Sequence, residues 1–85
     1  MPTISQFFGI SILMFWRDHE PPHIHARYGD YHAEIMIESG AVVGTLPPRV
    51  LGLAQEWREL HKRELLVAWE KAKHKKPIPK IKPLE

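Results

Sequence analysis

The histidines of this chain are concentrated in one segment, together with other side chains that take part in acid–base and metal chemistry. Six of the 85 residues are histidines, and the chain has no cysteine. Disulfides, zinc–thiolate sites and cysteine nucleophiles are therefore excluded. The chemistry-bearing residues of the segment are Asp18, His19, His23, His25, Arg27, His32 and Glu34.

Metal binding is one chemistry that this segment supports. Residues two apart on a strand point to the same side, so His23 and His25 can both face one ion. Carboxylate and imidazole groups are accepted as ligands by Zn²⁺, Ni²⁺ and Fe²⁺. The candidate metal ligands are Asp18, His19, His23 and His25.

Two further interpretations use the same side chains without a metal. In a metal-independent ribonuclease, neutral and protonated histidines act as base and acid while an arginine holds the phosphate. The candidate catalytic residues are His23, His25, Arg27, His32 and Glu34. The face could instead dock a partner protein, or His25 and Glu34 could form a surface pair worth well under ~1 kcal/mol.

The elements that must position these side chains are two strands of a predicted hairpin. Alternating runs over residues 23–28 and 31–37 flank Gly29-Asp30, a dipeptide typical of a two-residue turn. Pairing outward from the turn sets Arg27 opposite His32 and His25 opposite Glu34. One face of the hairpin then carries three histidines, an arginine and a glutamate, which are His23, His25, His32, Arg27 and Glu34. The other face is apolar and suited to the core.

The rest of the pattern predicts an α+β fold with one domain over residues 1–85. We expect a small, mostly antiparallel sheet of three to four strands in the N-terminal half, with further strands over residues 10–16 and 41–46. Two helices should follow from Pro48, cover the sheet with Trp57 and Trp69, and meet near residues 61–63. Residues 71–85 form a basic, proline-containing tail that we expect to be extended along a sheet edge through Ile78 and Ile81.

Charge is divided unevenly along the chain. The net charge of +2 is the sum of −3 over residues 1–45 and +5 over residues 46–85. A nucleic acid is one partner that the C-terminal lysines could bind, although a merely solvated tail has the same composition. The lysines concerned are Lys71, Lys73, Lys75, Lys76, Lys80 and Lys82. No apolar stretch approaches the ~20 residues of a membrane helix, so we expect a cytoplasmic protein without a membrane partner.

The motifs together resemble a small bacterial family known as a domain of unknown function, DUF4160. The most specific part is the run DHEPPHIHARYG at Asp18–Gly29, and further similarity extends over most of the chain. The similar segments are Ser5–Ile10, Leu46–Arg49, Glu56–His61, Glu64–Glu70 and Pro77–Leu84. The resemblance implies a second small protein encoded beside this one, in an operon like those of toxin–antitoxin pairs. It implies no catalytic residues.

The leading functional prediction is an interaction module of such a two-protein operon, acting through the histidine-rich sheet face and requiring no cofactor. The sequence contains neither a glycine-rich phosphate loop nor a nucleophile elbow, so the common small-enzyme motifs are absent. A metal-independent ribonuclease toxin and a divalent-metal-binding module are the two alternatives.

Overall fold

The computed structural model describes residues 2–85, which form five strands followed by two helices. All neighbouring strands are antiparallel, and their order in the sheet is the order in the sequence. The predicted α+β class is therefore confirmed. The elements are β1 (Thr3–Phe7), β2 (Ile10–Leu13), β3 (His23–Tyr28), β4 (Tyr31–Met36), β5 (Val42–Thr45), α1 (Pro48–Leu60) and α2 (Lys62–Lys73).

The β3–β4 hairpin has the register that its alternation predicts. Arg27 pairs with His32, His25 pairs with Glu34, and the two-residue turn is Gly29-Asp30. Gly29 has φ +57, the left-handed conformation that glycine adopts at low cost. The pairing separates an apolar face from a face that carries histidines.

The apolar face of the sheet and the inner sides of both helices form one hydrophobic cluster. Ile24 and Ile35 of the hairpin are completely buried in it. Trp57 of α1 is fully buried and Trp69 of α2 is 3% exposed, so the prediction that both tryptophans belong to the core is confirmed. Because α1 ends at Leu60 and α2 begins at Lys62, the helix junction also lies where the change of phase predicts it.

The sheet has more strands than the three to four that the sequence predicts. The additional strand is β1, which pairs with β2 and buries Ile4 and Phe7, whereas Phe8 in the following turn is 60% exposed. The strand expected over residues 10–16 is shorter and ends at Leu13. A five-residue strand beside a tight turn shows too little alternation to be recognised from its own sequence.

The C-terminal segment is anchored at the β1 edge of the sheet. Its first residues differ from the extended tail predicted over 71–85, because α2 continues to Lys73. Beyond the helix, the N–H of Ile81 donates to the carbonyl of Ile4 at 2.8 Å, and the Trp57 indole N–H donates to the carbonyl of Lys82 at 2.8 Å. Ile81 itself is only 4% exposed. The tail therefore contributes to the core.

Neither helix in the described part of the chain is long and apolar enough to cross a membrane.

Replacing Ile81 with alanine should destabilise the protein by about 2–5 kcal/mol, the usual cost of truncating a buried isoleucine. The measurement is the free energy of unfolding from urea denaturation. Ile78→Ala is the matched control, because Ile78 undergoes the same chemical change in the same tail but is only partly buried. Equal losses for the two variants would contradict the anchoring role of Ile81.

Candidate functional site

The candidate site is formed where the loop between β2 and β3 folds back over the start of β3. The loop carries Asp18, whose side chain is 18% exposed, and β3 presents His23 and His25 beneath it. The two histidines lie on the same side of the strand because they are two residues apart. Both imidazoles approach the same carboxylate oxygen, Asp18 Oδ2, at 2.9 Å from His23 Nε2 and 3.1 Å from His25 Nε2.

His23 is the most deeply buried side chain of the site, with no exposed surface. Its Nδ1 is 2.9 Å from the carbonyl oxygen of Pro21, and a carbonyl only accepts, so Nδ1 carries a hydrogen. In the neutral ring the lone pair is therefore on Nε2. Among residues 2–85, Nε2 has no hydrogen-bond partner, although it lies 2.9 Å from Asp18 Oδ2.

A chain of hydrogen-bonding groups runs from Asp18 through His25 to His32. His25 Nε2 donates to Asp18 Oδ2, since a carboxylate only accepts. Neutral His25 then has its lone pair at Nδ1, which is 3.1 Å from His32 Nε2. The two imidazoles stack with centroids 5.3 Å apart, and Phe15 packs edge-on against His25 at 4.6 Å. The chain therefore leads from a half-buried carboxylate to an exposed imidazole.

His19 and Glu34 both lie close to His23. The His19 ring stacks on the His23 ring at 4.9 Å, and Glu34 Oε1 is 3.6 Å from His23 Nε2. Asp18, His23 and His25 form one set of side chains whose ligand atoms all lie within 4.8 Å of one another; His19, His23 and Glu34 form a second. The two sets share His23, so they adjoin each other at this side chain.

The loop that carries Asp18 is attached to α2 as well as to the sheet. Glu20 Oε2 accepts a long 3.4 Å hydrogen bond from the Trp69 indole and lies 3.4 Å from Lys73 Nζ. The Trp69 ring also packs against His23, with centroids 5.2 Å apart. The N–H of Ile37 donates to the carbonyl of Pro22 at 3.0 Å. The contacts of Glu20 and Pro22 therefore attach the residues that follow Asp18 to α2 and to the end of β4.

The surroundings shift the pKa values of two groups. Burial by itself would raise the pKa of Asp18, but hydrogen bonds from His25 and from the His19 backbone, with the charge that His23 and His25 carry when protonated, bring that pKa below its usual value. For His32, desolvation lowers the pKa first, and the charges of protonated His25 and of Arg27 lower it further, while Glu34 opposes the shift. Asp18 is therefore ionised and His32 neutral at pH 7.

The structure brings most of the sequence-predicted candidates together. Two groups of three share His23, and His32 adjoins one of them through His25; the groups are Asp18, His23 and His25, and His19, His23 and Glu34. Arg27 lies farther along the same face, opposite His32 and exposed at the surface.

Sequence reasoning did not find the residues that hold the site in place. Phe15 packs on His25, Trp69 packs on His23, and the Pro21 carbonyl fixes the orientation of the His23 ring. Of these three residues, only Pro21 lies close to the histidines in sequence, so only its role could have been suggested by position along the chain. The contact with Trp69 joins residues 46 positions apart in sequence, which a pattern of spacing does not reveal.

The pKa of His32 should lie below the ordinary histidine value of about 6.5. Arg27→Gln should raise this pKa by removing a positive charge, and Glu34→Gln should lower it further by removing a negative one. NMR titration of the imidazole C–H signals measures all three values. Shifts in the same direction for both variants would contradict this electrostatic account.

The lowered pKa of His32 also determines how this group changes the free energy of unfolding with pH. Below pH ~6.5 the unfolded chain binds a proton at His32 more readily than the folded chain, so this group lowers the free energy of unfolding as the pH falls. Asp18 also makes the protein less stable in acid, although its charge is negative. Because its pKa is lowered by folding, ionised Asp18 stabilises the fold at pH values above the usual pKa of an aspartate, and this contribution is lost as the pH falls.

Comparison with known proteins identifies the family. The family model for a domain of unknown function, DUF4160, matches residues 9–70, which include β2 to β5, α1, most of α2 and every candidate site residue. No curated protein and no solved structure matches the chain. Because the match covers well over half of its length, the chain belongs to the DUF4160 family.

Proposed function

We propose that this protein is a divalent-metal-binding module whose ion is held by Asp18, His23 and His25. The observation that carries the proposal is the fully buried Nε2 of His23, which has no hydrogen-bond partner among residues 2–85 and lies 2.9 Å from a carboxylate oxygen. When the His23 ring is neutral, its Nε2 lone pair and the ionised carboxylate repel each other at that distance. A metal ion bound to both atoms removes the repulsion and satisfies the buried nitrogen.

The separations within the cluster suit an ion of ordinary size. Ligands about 2.1 Å from an ion are about 3.0–3.4 Å apart in octahedral or tetrahedral geometry. The distances of 2.9 and 3.1 Å from Asp18 Oδ2 to the two imidazole nitrogens are close to that range. Small movements of these side chains are enough to form the site.

The surroundings of the three candidate ligands support this proposal. Metal-bound histidines usually donate their other ring N–H to a neighbouring group, which fixes the ring. His23 donates to the Pro21 carbonyl, and with metal at Nε2 His25 can donate from Nδ1 to His32. Two imidazoles and one carboxylate suit Zn²⁺, Fe²⁺, Co²⁺ or Ni²⁺, and His19 and Glu34 form a second set with His23.

Titration of the untagged, metal-free protein with Zn²⁺ or Co²⁺ should show one ion bound per chain. Asp18→Asn removes the ligand charge while keeping the side-chain shape, and should weaken binding at least ~100-fold, since even outer hydrogen-bond partners of a metal ligand contribute 10–100-fold. Calorimetry gives the affinity, and the visible spectrum of bound Co²⁺ reports the ligand geometry. Saturation at 100 times the Kd should add about 2.7 kcal/mol to the free energy of unfolding.

His74→Ala is the matched control for the metal titration. His74 pairs with Glu70 on exposed helix surface, so its loss should leave the affinity unchanged. Far-UV circular dichroism establishes that Asp18→Asn is folded. Unaltered metal affinity in folded Asp18→Asn, or no stoichiometric binding to the wild-type protein, would overturn the proposal.

Metal-independent ribonuclease activity is the second candidate function, and one observation favours it. The chain from Asp18 through His25 ends at His32, which is neutral at pH 7 and lies opposite Arg27. When His32 donates from Nε2 to His25, its unprotonated nitrogen is Nδ1. That nitrogen can accept a proton from a ribose hydroxyl while Arg27 binds the phosphate.

If this second function operates, the wild-type protein should cleave single-stranded RNA in the presence of a chelator. His32→Asn should then reduce the cleavage rate by about 10²–10⁴-fold, the usual contribution of a general base. The assay follows a labelled oligoribonucleotide, with His61→Asn as the control, because His61 pairs with Glu64 at the helix junction and takes no part in the site. Cleavage that requires added metal, or no cleavage, would contradict the metal-independent mechanism.

The protein partner remains a prediction from the family resemblance. An interaction module and a metal-binding module are compatible functions, because an ion at Asp18 would fix the loop and leave Arg27 and His32 at the surface. Under this proposal the histidine-rich face could serve both purposes.

A further inference from the structure

Trp16 is an exposed tryptophan held against the end of a lysine-rich helix. Its exposure is 46%, whereas Trp57 and Trp69, the other two tryptophans of the chain, are buried. The Trp16 indole N–H donates to the carbonyl of Lys76 at 2.9 Å, and the N–H of Arg17 approaches the carbonyl of Ala72 at 3.4 Å. These contacts fix an exposed aromatic ring beside the C-terminus of α2.

The helix end itself has a defined conformation. Lys75 has φ +60, the N–H of Lys76 donates to the carbonyl of Lys71 at 2.8 Å, and the N–H of Lys75 donates to the carbonyl of Ala72 at 3.2 Å. This pair of bonds is a Schellman motif with a lysine at the left-handed position. The lysines of the helix end are therefore presented on an ordered turn.

The charge at this end of the molecule is strongly positive. Lys71, Lys73, Lys75 and Lys76 are all exposed, and Arg17 is exposed beside them. Glu20 lies 3.4 Å from Lys73 and offsets one of these charges. Within residues 2–85, Lys71, Lys75, Lys76 and Arg17 form no ion pair.

We propose that Trp16, Arg17 and the lysines of the α2 C-terminus form a binding surface for single-stranded nucleic acid. Proteins that bind single strands combine aromatic side chains, on which bases stack, with positive charges that contact phosphates. The lysine run contains no aromatic residue in the sequence, and the fold supplies one from a loop some 60 residues away. One base stacks on Trp16 while neighbouring phosphates contact the lysines and Arg17.

A single-stranded ligand fits this surface better than a membrane does. Trp16 offers aromatic area for one base, but a lone exposed ring among lysines provides little apolar area to bury in a bilayer. Lys80 and Lys82 belong to the separate segment beside β1, where they flank the buried Ile81. The surface is therefore restricted to the loop and the helix end.

Binding is measured with fluorescein-labelled 12-mers of dT and rU by fluorescence anisotropy at 50 mM salt with a chelator present. The two oligonucleotides distinguish DNA from RNA, and the chelator makes the result independent of metal. Binding should quench the intrinsic fluorescence of the wild-type protein, because Trp16 is the exposed tryptophan. Trp16→Ala should weaken binding about 5- to 150-fold, the range for one stacked base.

Two further variants test the charges. Lys75→Asn removes a charge at a left-handed position that asparagine tolerates, and Lys76→Ala removes the adjacent one. Each should reduce the slope of log K against log salt by about 0.7. Lys62→Ala, at the other end of α2, removes the same charge and should leave the slope unchanged.

Three results would overturn the proposal. They are no binding of either oligonucleotide at 50 mM salt, wild-type affinity in Trp16→Ala, and stronger binding to vesicles containing phosphatidylserine than to the oligonucleotides. If Trp16→Ala fails to fold, the quenching of the wild-type protein decides: unquenched fluorescence on saturation contradicts stacking. Metal binding by Asp18 is measured separately, so either proposal can fail while the other stands.

Discussion

The pairing of β3 with β4 is the constraint on which the rest of this molecule depends. A single register places Ile24 and Ile35 in the core and His25 opposite Glu34 on the other side. Moving one strand by one residue would exchange the two faces, bury the imidazoles among isoleucines and expose the apolar residues to water. Packing of the helices and assembly of the histidine cluster thus depend on the same alternation.

The candidate site depends on the loop between β2 and β3, because this loop brings Asp18 to the histidines of β3. On the strand alone, His23 and His25 would be neighbouring rings on a sheet surface. The loop brings a carboxylate oxygen within about hydrogen-bond distance of both, and with Trp69 packed on its ring His23 has no exposed surface. Burial removes the water that would otherwise bind Nε2 of His23, and the metal ion that we propose would satisfy this nitrogen instead.

Much of the framework could be predicted from the sequence, because it depends on local regularities. Alternation and the Gly29-Asp30 turn determine the β3–β4 register, and the apolar periodicity of the C-terminal half determines both helices. The alternation also identified the histidine face. Strand β1 was missed because it is short.

The details of the site could not be predicted, because they depend on contacts between distant parts of the chain. The position of Asp18 over β3 depends on Glu20 meeting Trp69 of α2, and the exposed ring of Trp16 depends on a carbonyl at the helix end. Such contacts depend on the path that the loop between β2 and β3 takes through space. The spacing of residues within a strand or helix does not indicate that path.

The tail beside β1 has a consequence for association between molecules. An edge strand offers unpaired backbone groups to any other extended chain, and proteins often protect such edges with cover or with lysines. Here Ile81 pairs with Ile4 and is flanked by Lys80 and Lys82, so charge stands on both sides of the covering segment. Those two lysines act against edge-to-edge aggregation. A chain ending where the family match ends, at residue 70, would expose this edge and become prone to self-association in solution.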